Sequence, residues 1–252
     1  MTLILFACLA AFIAGFVDAI AGGGGLIQLP ALLMLGLPPH HVLACNKFSA
    51  TLGTASAVVS YATQRLIRYD LAAQGIIFSL IGAALGSLLA LHLDPDLLGK
   101  ILVGLLPIAL IVTLTPMRVQ KKEPSALNIW KVAAVCISIG AYDGFFGPGT
   151  GSILILCFHW LLGLELLKAS ATAKVLNLAS NIASTITFII HGSVLWSLAI
   201  PMAIASITGN ILGSRFAVHG GNIIVQRILT FSLMLLTLTL LGKYFLFPFL
   251  FS

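Results

Sequence analysis

Two short stretches hold the residues best able to do chemistry. Asp18 precedes a run of four glycines, Gly22–Gly25, and Asp143 precedes Gly147-Pro148-Gly149-Thr150-Gly151-Ser152. Each acid sits four residues ahead of the first glycine of its tip, inside segments otherwise apolar enough for lipid. At membrane depth a carboxylate is costly, and backbone unwound by glycine needs partners. The glycines let N–H groups approach a ligand, and helices starting at Leu26 and Ser152 would turn their positive ends toward an anion. Thr150 and Ser152 add hydroxyl donors. The same glycines equally permit tight turns and close helix packing. Neither tip is a phosphate-cradling P-loop, because no Gly-Lys-Ser/Thr follows. For Asp18 and Asp143 two readings stand side by side: a group that takes up and releases a proton, or a cap for the freed N–H groups of the broken helix.

A second set of polar residues lies where a bilayer span should be apolar. In the first half these are Asn46, Lys47, Ser49, Thr51, Gly53 and Thr54; in the second they are Lys174, Asn177, Ser180, Asn181 and Ser184. Asn177, Asn181 and Ser184 recur at helical spacing and share a face, with Lys174 one turn earlier. Small polar residues can simply join helices, and lysines two turns inside a span can snorkel. Two equivalent lysines beside asparagines and near helix N-termini nonetheless make a positive lining suited to an anion. Four cysteines are scattered without metal spacing or a paired framework, so no cofactor or metal is expected.

The elements that must position these groups are membrane helices. The chain has 252 residues, 60% hydrophobic and 8% charged, with a mean hydropathy of +1.12. Soluble domains carry roughly 25% charged residues, and long unbroken apolar runs exclude an alternating transmembrane barrel. The fold class is therefore all-α, a polytopic helical membrane protein. An apolar arm over 2–21, a glycine tip and a short return arm ending at Pro38-Pro39 read as a broken hairpin. Spans follow at 41–63, 71–92 and 97–117, then a hydrophilic linker at 118–127. The second half repeats the plan, with arms at 128–146 and 152–164 and spans at 168–190, 194–218 and 223–250. The N-terminus lacks the basic region of a signal peptide and is expected to remain as a helix.

The repeat holds residue by residue. Asp18/Asp143, Gly22/Gly147 and Gly24/Gly149 lie 125 apart; Lys47/Lys174, Gly82/Gly209, Gly86/Gly213 and His92/His219 lie 127 apart. The domain expectation is thus a first repeat over 1–117 and a second over 128–252. Basic residues set orientation through the positive-inside rule. Arg65, Arg68, Arg118, Lys121, Lys122, Lys131, Lys168, Arg215 and Arg227 would face the cytoplasm, leaving Lys100 and Lys243 opposite. That assignment requires two inverted-topology repeats, each a broken hairpin plus three transmembrane helices, with both termini outside in the periplasm. Inverted repeats with broken helices at the midplane are a recurrent transporter plan. The basic residues are a topology signal and not a nucleic-acid patch.

Taken together, Asp-Ala-Ile-Ala-Gly-Gly-Gly-Gly-Leu, the following Asn46-Lys47, the later Gly-x-Gly-Thr-Gly-Ser tip, Lys-x-x-Asn-x-x-Ser-Asn and two Gly-Ser-x-x-Ala helices resemble the TauE/SafE sulfite exporter family, also called the toluene sulfonate uptake permeases. The resemblance covers both repeats. It implies a secondary transporter of small sulfur-containing anions in the inner membrane, with substrate contacts on Gly22, Gly23, Gly24, Gly25, Asn46, Thr150, Ser152, Lys174, Asn177 and Asn181. Lys47, Gly149 and Gly151 complete the expected substrate-binding set; Asp18 and Asp143 are the proton-coupling or structural pair. The expected partners are a small anion and the bilayer, with a homodimer left open and no nucleic acid. Export and import are both open. The rival reading is an intramembrane enzyme with Ser152 or Cys157 as nucleophile and His159 as base. Ser152 and His159 stand about two turns apart on one helical face, so direct contact is not expected. A subunit without its own substrate is the third reading.

Overall fold

The computed structural model describes residues 2–102 and 129–241, and within these every regular element is a helix. In order they are α1 (Thr2–Ala21), α2 (Gly24–Met34), α3 (Pro39–Thr63), α4 (Tyr69–His92), α5 (from 95, described to 102), α6 (Ile129–Phe145), α7 (Thr150–Leu162), α8 (Leu166–Ile190) and α9 (Trp196–Leu241). The expected linker at 118–127, most of the span at 97–117 and the end of the last span lie outside the described residues. Among the described residues five helices are long and apolar enough to cross a membrane: Thr2–Ala21, Pro39–Thr63, Tyr69–His92, Leu166–Ile190 and Trp196–Ile228. α9 is broken at Gly221, whose backbone leaves the helical region, and this divides the expected spans at 194–218 and 223–250.

The hairpin tips follow from their glycines. α1 ends because Gly22 takes φ +74°, a left-handed turn that an L side chain resists, and α2 restarts two residues later. In the second hairpin Gly147 and Gly149 have φ +93° and +80° between α6 and α7. Both return helices begin two residues earlier than the expected Leu26 and Ser152. The two tips then meet backbone to backbone. A Cβ on Gly22 would collide with Gly151, and one on Gly151 would collide with Gly22.

Packing exchanges elements between the halves. α1 lies against α9 and α4 against α6; α3 crosses α9 and α8 crosses α4; α3 and α8 face one another at the centre. The close approaches come from glycines that leave no room for a methyl group. Gly82 and Gly86 press on backbone at Ile137, Ala141 and Phe145, while Gly209 and Gly213 press on backbone at Phe12 and Phe16. The two sets of contacts correspond, with the glycines 127 residues apart and their backbone partners 125 apart. In the two Gly-x-x-Leu-Gly-Ser strings the glycines serve close helix packing.

The polarity is that of a protein dissolved in lipid. Ile77, Ile81, Leu85 and Leu89 form an exposed apolar stripe on α4, and Ile200, Ile204, Leu212 and Phe216 form one on α9. The interior, by contrast, holds Asn46, Lys47, Ser49 and Thr54 from α3 and Ser170, Thr172, Lys174, Asn177, Ser180, Asn181 and Ser184 from α8, all buried. Burying such groups without partners would cost several kcal/mol each, so the centre must be a hydrogen-bonded network.

Candidate functional site

That network is organised by two ion pairs that cross between the halves. The Lys174 ammonium on α8 lies 2.6 Å from Asp18 Oδ2 on α1, and the Lys47 ammonium on α3 lies 2.8 Å from Asp143 Oδ1 on α6. Side-chain exposure is 0% and 16% in the first pair and 2% on each member of the second. Neither lysine snorkels to an interface. The positive lining read from the sequence is therefore matched by two carboxylates, and the four charges sum to zero.

Each carboxylate has further donors. Asp18 Oδ1 accepts the backbone N–H of Gly24 at 3.3 Å, which ties the end of α1 to the start of α2. Its Oδ2 also accepts from Thr54 at 3.5 Å. Asp143 Oδ2 accepts from Asn177 Nδ2 at 3.3 Å and from the Ser180 hydroxyl. Lys47 donates in addition to Asn181 Oδ1 at 3.1 Å, and Asn181 donates to Asn177 Oδ1 at 3.4 Å. Asp18 thus caps the restarted helix while holding a lysine, so the capping reading describes its geometry.

Between the tips and these side chains lies a cavity of about 30 Å³, room for roughly two waters. Of the expected site residues, Asp18, Gly22, Gly24, Gly25, Asn46, Lys47, Asp143, Gly151, Asn177 and Asn181 line it. Gly23, Gly149, Thr150, Ser152 and Lys174 are not part of that lining. Thr150 donates its hydroxyl to Gly147 O at 2.8 Å, and Ser152 donates to Ala21 O at 2.7 Å, where it fastens one hairpin to the other. His159 bonds to Leu164 O at 2.6 Å and so has no part with Ser152. Among the described residues no group of three His, Cys, Asp or Glu comes together to hold a metal.

The sequence reading missed Gln28, Ser206 and Asn210, which also line the cavity. Gln28 donates to Ser49 at 2.7 Å. Asn210 is 1% exposed, and its Nδ2 donates to Ser206 O at 2.9 Å while its Oδ1 has no partner. Gly15 and Gly53 lie against Ser206 and Asn210 so closely that neither could carry a Cβ. Ser206 was within reach, since Ser79 occupies the matching place in the first half. Asn210 was not: Ala83 stands at its counterpart, so the repeat gives no signal there.

A charge-balanced polar centre inside a multi-pass helical shell, walled by two broken hairpins, defines a membrane transporter. The sequence profile described as "Sulfite exporter TauE/SafE" matches residues 7–240, and the chain belongs to that family. It is 39% identical over 242 residues to a "Probable membrane transporter protein ORF9" of Sinorhizobium sp, covering 95% of this chain and 93% of the relative. A "Probable membrane transporter protein" of Haemophilus influenzae is 40% identical over 218 residues, covering 85% of each chain. "Probable membrane transporter protein YfcA" of Escherichia coli K12 is 35% identical over 220 residues, covering 86% of this chain and 81% of the relative. No solved structure matches the chain significantly.

Proposed function

We propose that the protein is a secondary transporter of small sulfur-containing anions, sulfite or organosulfonates, and works by alternating access around the central cavity. The observation that carries this reading is the crossed pairing of Asp18 with Lys174 and Lys47 with Asp143 where the two hairpin tips touch. Each half supplies one cation and one anion, and each of these charges finds its partner on the other half. The family's name supplies the sulfur anion; Lys47, Asn177, Asn181 and the tip backbone supply donors that could replace its hydration. On this reading the halves are inverted repeats in the inner membrane with periplasmic termini. Supporting this are the recurring glycine contacts, and the inversion would gather most of the basic residues on one side. A cavity with room for about two waters is smaller than an organosulfonate, so binding requires the walls to part.

The test is flux in proteoliposomes across a panel of sulfite, sulfonates and carboxylates. Sulfite or a sulfonate should be transported, and Asn177→Ala should lower uptake at least tenfold with the protein still folded. Equal transport of carboxylates would remove the sulfur specificity. Flux indifferent to both Asn177→Ala and Lys47→Met would overturn the site.

A further inference from the structure

Of the four paired charges, one cation reaches the cavity. Lys174 does not line it and is held by Asp18, whereas Lys47 lines it together with its partner Asp143. Asp143 takes up the two donors best placed for an incoming anion, the Lys47 ammonium on Oδ1 and Asn177 Nδ2 on Oδ2. A third donor, Ser180, reaches the same carboxylate from outside the cavity lining. We propose that the Asp143 carboxylate is the resident occupant of the anion site, and that a monovalent anion replaces it only as Asp143 takes up one proton. This rests on the transporter reading given above.

The argument is one of charge and donors. With both pairs intact the centre is neutral, and adding an anion would leave a net negative charge buried among groups almost closed to water. One proton from the bulk restores neutrality when it binds a carboxylate oxygen of Asp143. Lys47 stays an ammonium and turns to the anion, and Asn177 Nδ2 is released with it. The Ser180 hydroxyl reverses its role and accepts the new carboxyl O–H, so no buried donor is orphaned. Asp18 has no such exchange available. Its lysine lies outside the cavity, and Gly24 N–H and Thr54 hold the carboxylate in place.

Among the described residues, Lys47 is the charged group paired with Asp143, and Asp18 is the other carboxylate on the cavity wall. α3 presents Lys47; α8 presents Asn177 and Ser180, with Lys174 turned to Asp18. α4 presents Ala83 and Gly86 to α6. On α6 itself the Tyr142 hydroxyl donates to Pro148 O at 2.7 Å, and the Gly147 backbone closes the tip side.

The experiment uses purified full-length protein and sulfonates that stay ionised throughout the neutral range: methanesulfonate, ethanesulfonate and toluenesulfonate. In weak buffer with a pH indicator, binding should take up one proton per anion, and affinity should fall about tenfold per pH unit on the alkaline side. Asp143→Asn should bind the anion tightly with no pH dependence. Binding by the wild type without proton uptake overturns the inference and leaves the transporter reading standing. Proton uptake that persists in Asp143→Asn moves the site elsewhere and also overturns it. If no sulfonate, sulfite or carboxylate binds at any pH, the transporter reading itself falls. Should Asp143→Asn fail to fold, the proton count on the wild type decides alone.

Discussion

Lys47 and Asp143 are each held in place by the other, and the energetics of that pair make a sharp prediction. Removing one partner of a buried pair leaves an uncompensated charge, worth about 3–5 kcal/mol, whereas replacing both by apolar residues is often near neutral. Lys47→Met should therefore lower the thermal midpoint markedly in detergent. The double variant Lys47→Met/Asp143→Leu should recover most of the loss, yet bind no anion. A double variant no more stable than the single would show that the pair's worth lies in its hydrogen bonds to Asn177, Ser180 and Asn181. At this scale the sequence announced the four charged residues, because a charge in an apolar segment must be accounted for. It did not announce who pairs with whom. The partners lie 156 residues apart in one pair and in different halves in both, a relation that only the packed helices create. Nor did the sequence announce that the Thr150 and Ser152 hydroxyls bond backbone oxygens, since a hydroxyl near a tip serves backbone as readily as ligand.

The hairpins turn on a contact made without side chains. Gly22 and Gly36 both have positive φ, +74° and +70°, but Gly36 faces open space whereas Gly22 lies against Gly151. Alanine at either should incur a similar backbone penalty, about 1 kcal/mol. Gly36→Ala should keep transport near the wild-type level, while Gly22→Ala forces the tips apart and should abolish flux or folding. Matched losses in both would mean that conformational strain, not the tip contact, matters. Element boundaries were largely legible, because apolar length and glycine punctuation decide them: α1, α3 and α4 run close to where they were expected. The starts of α2 and α7 were placed two residues late, since an apolar count cannot see that glycines already inside the helix begin it.

Across the whole molecule the same contacts recur in exchanged form, with α1 on α9 where α6 lies on α4. If the halves are inverted, single cysteines at Arg65 and His191, in matched loops, should label from opposite sides of the membrane; labelling from one side would exclude the inversion. The matched spacing of Asp18/Asp143 and Lys47/Lys174 was readable, but the exchange of partners was not, because sequence offsets are blind to which half a helix packs on. That exchange has a consequence for how the protein is made. Asp18 is synthesised 156 residues before Lys174, which at about 5–20 residues per second is a wait of roughly 8–30 s. Through that interval the nascent first half carries a carboxylate whose counter-charge has not yet been synthesised, and Lys47 waits likewise for Asp143. The first half expressed alone should be a substrate for membrane quality control, and co-expression of the second half as a separate chain should rescue it.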